Sequence, residues 1–349
     1  MQSKFRRLVL VGALWSLSGA TLAQEWIDVH FHWTMDDASS TQELVDKSLA
    51  LMQAENIRTL VVSSQPKPGP SGSNFLEVQK LLEPHGMRFA VLAGGNSLNP
   101  LMHQIYEGKV PPDAVEKFRA LAELSATSGV RGFGEIALHH LSLNEQHAYE
   151  AIPADDSLVK VLVDVVAQHD LVLDVHFDPV LAKMVKPARL MSPNNPAEFE
   201  PNFEAFERML AHNRKAKIVW AHAGGVDMLG NYTPQLVGSL LDKHPNLYFS
   251  LRPMGRDPGV MLQMGGGPKG KRLNPEWVAV VEKYPDRFVM GSDSFLVADS
   301  AQRVGAARIF AENSARMRQA IRDVLAGLKP EIARKVGFEN AERLYKLKL

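Results

Sequence analysis

Cysteine is absent from all 349 residues. That excludes disulfides, thiolate zinc sites, iron–sulfur clusters and a cysteine nucleophile, so any metal must be held by His, Asp and Glu. Net charge is missing too, because 39 Lys and Arg balance 39 Asp and Glu. The chain therefore carries no global electrostatic footprint for nucleic acid or a membrane surface. Past the N-terminus no apolar run is long enough to span a bilayer. No G-x-S-x-G elbow occurs, which disfavours a serine esterase of the α/β-hydrolase kind. Gly265–Lys271 approaches a phosphate-binding loop, but Arg272 stands where Ser or Thr should hold magnesium. What remains is 45% hydrophobic residues, ample for a core, and 12 histidines.

The first residues carry their own pattern. Lys4, Arg6 and Arg7 precede the apolar run Leu8–Trp15, and small residues follow to Thr21-Leu22-Ala23. Ser16, Ser18, Gly19 and Thr21 break the run well before the roughly 20 residues a membrane anchor needs. Residues 1–23 therefore read as a cleaved secretory signal, and the mature chain is expected to be periplasmic or secreted, with no membrane span.

Beyond Ala23, β-branched and aromatic runs bounded by turn residues fall at Trp26–Trp33, Ile57–Ser64, Arg88–Gly95 and Val130–Leu138, then at Leu171–Asp178, Lys217–Gly224, Asn246–Pro253 and Arg287–Ser294. Between them the apolar spacing predicts helices such as Thr41–Glu55, Ala114–Thr127, Ser157–His169, Phe203–Asn213 and Pro234–His244. Nearly continuous apolar strands suit a parallel sheet covered on both faces. Eight such units without a linker predict an α/β fold, a single (β/α)₈ TIM barrel over residues 24–349. Long connections follow the second, third, fifth and seventh runs (Gln65–Asn74, Asn96–Pro112, Pro179–Pro201, Met254–Pro275) and should crown the C-terminal face, where barrel active sites sit.

The chemistry-bearing residues gather at the ends of those runs. His30 and His32, spaced by two on a strand, share a face. Glu135 lies near the end of the fourth run, His176 of the fifth, His222 of the sixth and Asp293 of the eighth. A lone His is usually a satisfied core residue and a lone Asp after a strand is often a helix cap. Six such residues on five strand ends instead point to converging N and O ligands for a cation. For Glu135 the competing explanation is an interior ion pair with Arg131 or a neighbour.

The ordered set His30-Phe31-His32, Asp174-Val175-His176, Val219-Trp220-Ala221-His222-Ala223-Gly224-Gly225 and Met290-Gly291-Ser292-Asp293 resembles the amidohydrolase superfamily, closest to its amidohydrolase 2 branch. Phe338–Leu344 is similar to that branch's final helix, so the resemblance covers nearly the whole mature chain. It implies a (β/α)₈ barrel in which His30, His32, His176 and Asp293 bind a divalent metal, His222 binds a second metal or positions the water, and Asp293 takes a proton from that water. Glu135 resembles the bridging Glu of the TatD-type deoxyribonuclease branch, so one or two ions are expected, with two preferred and zinc the expected metal.

Arg252 closes the seventh run, and Arg256, Lys269, Lys271 and Arg272 follow it. An Arg fork there suits an anionic substrate group, the alternative being a solvated basic loop. His139 and His140 either line the mouth or open a surface loop. The expected function is an exported metal-dependent hydrolase acting on a small-molecule ester, lactone, amide or phosphoester through a metal-activated water. The resemblance supplies an alternative, non-oxidative decarboxylation of an aromatic or unsaturated carboxylic acid. A third reading is a non-catalytic metal or solute binder.

Overall fold

A computed structural model describes residues 24–34, 41–66, 75–111, 113–255, 259–264, 270–297 and 304–347. The secretory signal read at 1–23 lies outside the described residues. Nine main strands run in the chain: β1 Trp26–Thr34, β2 Ile57–Ser63, β3 Phe89–Gly94, β4 Gly132–His140, β5 Val172–Phe177, β6 Lys217–Ala223, β7 Leu247–Leu251, β8 Phe288–Met290 and β9 Ser294–Val297. They form one curled α/β sheet in the order β8-β7-β6-β5-β4-β3-β2-β1-β9, every neighbouring pair parallel. A two-residue strand, Glu150–Ala151, adds antiparallel to the end of β4. No described helix is long and apolar enough to cross a membrane.

All eight expected runs form strands, and the five expected helices form within a residue of their anticipated ends. Asp156, Thr233 and Asn274 accept a backbone N–H from Leu158, Leu236 and Glu276, capping three helices, two of which begin with Pro234 and Pro275. The connection Asn96–Pro112 was expected to be a loop but holds a helix, Leu98–Tyr106. Pro100 falls in its first turn, where a missing N–H costs no intrahelical bond, so the proline does not break it.

The eighth run is not one strand. β8 and β9 are separated by residues 291–293, with Asp293 in the left-handed region at φ 51°. The cause lies on β1: the Asp28 carboxylate accepts the Ser292 backbone N–H (2.9 Å) and its hydroxyl (2.5 Å), drawing that residue out of the ladder. This short segment touches both ends of the sheet. Gly291 N–H donates to Leu251 O on β7 (3.1 Å), and Asp293 N–H donates to His30 O on β1 (2.9 Å). Gly291 is required here, since a Cβ would stand 2.0 Å from Ser250 Oγ and 2.8 Å from His30 Cβ.

Two apolar clusters fix which way the strands face. Ile27, Val29, Val61, Leu92, Val172, Val219 and Val289 pack with Leu344 and Tyr345 of the C-terminal helix Asn340–Tyr345. Phe31 and Trp33 instead pack in the layer shared with the helices. The pairing of β1 with β2 is irregular between Asp28 and Phe31. That irregularity separates Val29 from Phe31, which plain alternation would place together, and leaves His30 and His32 opposite Phe31 and Trp33.

Candidate metal centre

The strand-end residues meet. From β1, His30 and His32 bring their Nε2 atoms to 3.1 Å of each other. Glu135 on β4 projects between them and the next two strands: its Oε2 lies 3.5 Å from His30 Nε2 and 3.4 Å from His32 Nε2. Its Oε1 lies 2.9 Å from His176 Nδ1 and 3.0 Å from His222 Nε2. One carboxylate thus faces four imidazoles, one oxygen to each pair. Asp293 Oδ1 stands 3.3 Å from His32 Nε2, and its Oδ2 is 3.9 Å from His222 Nδ1. Arg131, the alternative partner for Glu135, instead points a guanidinium nitrogen at Met87 Sδ.

Arg252 also reaches this centre. Its Nε is 3.0 Å from Asp293 Oδ2, an ion pair in which the N–H finds no aligned acceptor. Of the basic residues after it, Lys271 pairs with Asp323, while Arg256 and Lys269 lie outside the described residues. His139 and His140 close β4: His139 is buried, donating from Nδ1 to Asp178 O (2.6 Å), and the His140 ring lies against His176 with centroids 4.0 Å apart.

Two groups have ligand atoms within 4.8 Å of one another, His30 with Glu135 and His222, and His30 with His32 and Asp293. The outer ring nitrogens test whether these residues fit a cation. His30 Nδ1 is taken by Asp174 Oδ2 (3.2 Å) and His32 Nδ1 by Ser63 Oγ (3.2 Å). A carboxylate oxygen accepts, so neutral His30 carries its proton on Nδ1 and turns the Nε2 lone pair inward. There it faces the His32 imidazole and the Glu135 and Asp293 carboxylates, a convergence of electron-pair donors of the kind that holds a cation. The donor set of N and O atoms fits a divalent metal.

Charge follows the same geometry. Burial opposes protonation of His30, His32 and His176, yet the neighbouring carboxylates overcome it and raise all three, His176 to about 10. Burial pushes His222 the other way, down to about 4. Burial works against the Glu135 carboxylate as well, but the charge on His30 and hydrogen bonds from His176 and His222 hold it well below the usual range. A raised histidine adds stability that is complete below its unfolded pKa near 6.5 and is lost as pH rises through the folded value. Metal-free protein should therefore lose stability from about pH 6.5 towards pH 10, by up to about 1.4 kcal/mol per pH unit for each proton released. Metal-loaded protein should lack that slope, because ligating imidazoles are already neutral. Thermal unfolding of both forms between pH 7 and pH 9 measures this, and parallel curves would refute it.

Sequence reasoning missed Asp28, Ser63, Asp174 and Asp178 as contributors to the centre. The period of two that exposed His30 and His32 also carries Asp28-x-His30-x-His32 on β1 and Asp174-x-His176-x-Asp178 along β5 and just beyond it. The carboxylates in that pattern were the available signal.

Residues 27–347 match the family model described as amidohydrolase. No curated protein matches the sequence. Among solved structures the chain is similar to 2,6-dihydroxybenzoate decarboxylase from Rhizobium, with 15% identity over 93% of this chain and 99% of that one and a TM-score of 0.48. It is similar to a probable 2-pyrone-4,6-dicarboxylic acid hydrolase from Acinetobacter baumannii, with 12% identity over 93% and 100% and a TM-score of 0.46. It is also similar to dihydroorotase from Saccharomyces cerevisiae, with 13% identity over 93% and 84% and a TM-score of 0.47.

Proposed function

The chain belongs to the amidohydrolase family of enzymes, and from that premise we propose that it is an exported metal-dependent hydrolase of a small-molecule ester, lactone, amide or phosphoester. The observation that carries this reading is the convergence of His30, His32, Glu135, His222 and Asp293, with ligand atoms in two groups each within 4.8 Å. In our reading the frame is a single (β/α)₈ barrel that closes at residues 291–293, where backbone hydrogen bonds run to β7 on one side and β1 on the other. The export signal is residues 1–23, which makes the site of action periplasmic or secreted.

His30, His32 and Asp293 would hold one ion. His30 has a single inward lone pair, so it serves one ion only, and a second would rest on His176 and His222. Glu135, with one oxygen towards each pair, would bridge the two. Zinc suits the imidazole-rich set. A divalent ion held there would supply polarisation of the scissile group and a lowered pKa for a water. Asp293 would take the proton of a water activated there, its carboxylate being kept ionised against the effect of burial by Arg252 beside it. His222, neutral at physiological pH, is free to ligate that second ion or, where a single ion is held, to orient the attacking water. Arg252 retains guanidinium N–H groups beyond those facing Asp293, which suit an anionic group on the substrate.

The test is a panel of esters, lactones, amides, phosphoesters and carboxylic acids, run on native protein, chelated protein and chelated protein given back zinc. Turnover that disappears on chelation and returns with the metal is expected. Release of carbon dioxide from a carboxylic acid, with no hydrolytic product anywhere on the panel, would replace hydrolysis by decarboxylation. Full metal occupancy with no turnover would leave a binder.

A further inference from the structure

Outside the proposed ligands lies a layer of groups that reach those imidazoles only through their outer ring nitrogens, and this inference rests on the metal-centre reading above. We propose that Asp174 and Asp178 are positioning residues, each fixing the ring proton and orientation of one imidazole at the centre. Asp174 serves His30 across the sheet, and Asp178 serves His176, two residues before it. Both carboxylates share the face of His176 because successive side chains of a strand alternate.

Asp174 is fully buried, and among the described residues its only hydrogen-bond partner is His30 Nδ1 at 3.2 Å, its Oδ1 having none. Among the described residues it caps no helix and its side chain binds no backbone N–H. A buried carboxylate with one partner is costly unless that partner carries positive charge. An imidazole whose far nitrogen faces a cation supplies it, since the carboxylate–imidazole–metal chain spreads the charge. The space for Asp174 is built by Gly134, where a Cβ would stand 2.8 Å from Asp174 Cβ and 2.9 Å from Leu92 Cδ1.

Asp178 is held differently. Its Oδ2 accepts from His176 Nε2 (3.2 Å) and from the Leu141 backbone N–H (3.0 Å). Its backbone carbonyl accepts from His139 Nδ1 (2.6 Å) and Asn202 Nδ2 (3.1 Å). Anchored from three segments, it holds the His176 proton on Nε2 and leaves Nδ1 to face Glu135. The two carboxylates thereby specify opposite tautomers: His30 presents Nε2 to the centre and His176 presents Nδ1.

The experiment measures zinc affinity by competition with a chromophoric chelator, and the visible spectrum of the cobalt-substituted protein, for wild type, Asp174→Asn and Asp178→Asn. An amide keeps the shape but loses the charge. Each variant should bind zinc about 10- to 100-fold more weakly and shift the cobalt bands, with thermal unfolding showing a folded protein. Asp178, with a side chain 26% exposed, tolerates substitution and decides the matter alone if Asp174→Asn does not fold. Wild type that loads metal, with variants of unchanged affinity and spectrum, would overturn the assignment of the two aspartates. Wild type that takes up no metal would overturn the metal-centre reading beneath it.

Discussion

Asp293→Asn should lower turnover on any substrate the panel yields by about a thousandfold, the usual scale for losing a positioned acid–base group. Asn preserves the volume and one carbonyl oxygen near His32 Nε2, so the chain should fold and still bind metal. What it removes is the capacity to take a proton. Burial favours the neutral acid at Asp293, but the Arg252 guanidinium 3.0 Å away, with His222 and His32 behind it, holds the carboxylate well below its ordinary range. The base is therefore ready throughout the neutral range, and the acid limb of the pH profile should lie low. Arg252→Met should raise that limb, because the largest charge that the chain itself sets against protonation of Asp293 is gone. A higher KM with an unmoved limb would instead assign Arg252 to an anionic substrate group. Less than a tenfold loss in Asp293→Asn, with metal still bound, would remove Asp293 from the proton path.

The contrast between Asp293 and Asp174 marks how far the sequence could be read. His30, His32, Glu135, His176, His222 and Asp293 were legible because each stands at the end of an apolar run, where a polar side chain needs a reason. The runs themselves were legible because buried parallel strands are continuously apolar. Asp174 was not, although it lies in the middle of Leu173-Asp174-Val175, since a buried carboxylate declares its partner only in three dimensions, 144 residues away at His30. Asp28 was hidden for the same reason: its grip on Ser292 breaks the eighth run, which apolar pattern alone drew as one strand. The helix Leu98–Tyr106 lay inside what reads as a loop, and Pro100 is accommodated because it falls in the first turn. Arg252 was found as a strand-end cation, but its engagement with Asp293 depends on the turn at 291–293.

Metal content should fall from about two ions per chain in wild type to about one in Glu135→Ala, as expected where a carboxylate bridges a pair of ions. Glu135 is buried, and neither of its oxygens serves the fold: Oε2 faces His30 and His32, Oε1 faces His176 and His222. Without it the first ion keeps His30, His32 and Asp293, whereas the second keeps two imidazoles and no anion. Elemental analysis of dialysed protein reads the difference directly. The variant should change the metal-free protein as well, since Glu135 helps raise His30, His32 and His176. Its loss brings those pKa values down, so the decline in stability above pH 6.5 should become shallower, with more like-charge repulsion among the rings below it. One ion in wild type, unaffected by Glu135→Ala, would return the centre to a single metal on His30, His32 and Asp293. Glu135 would then be a charge partner that keeps His176 protonated, and decarboxylation would have to be tested on equal terms with hydrolysis.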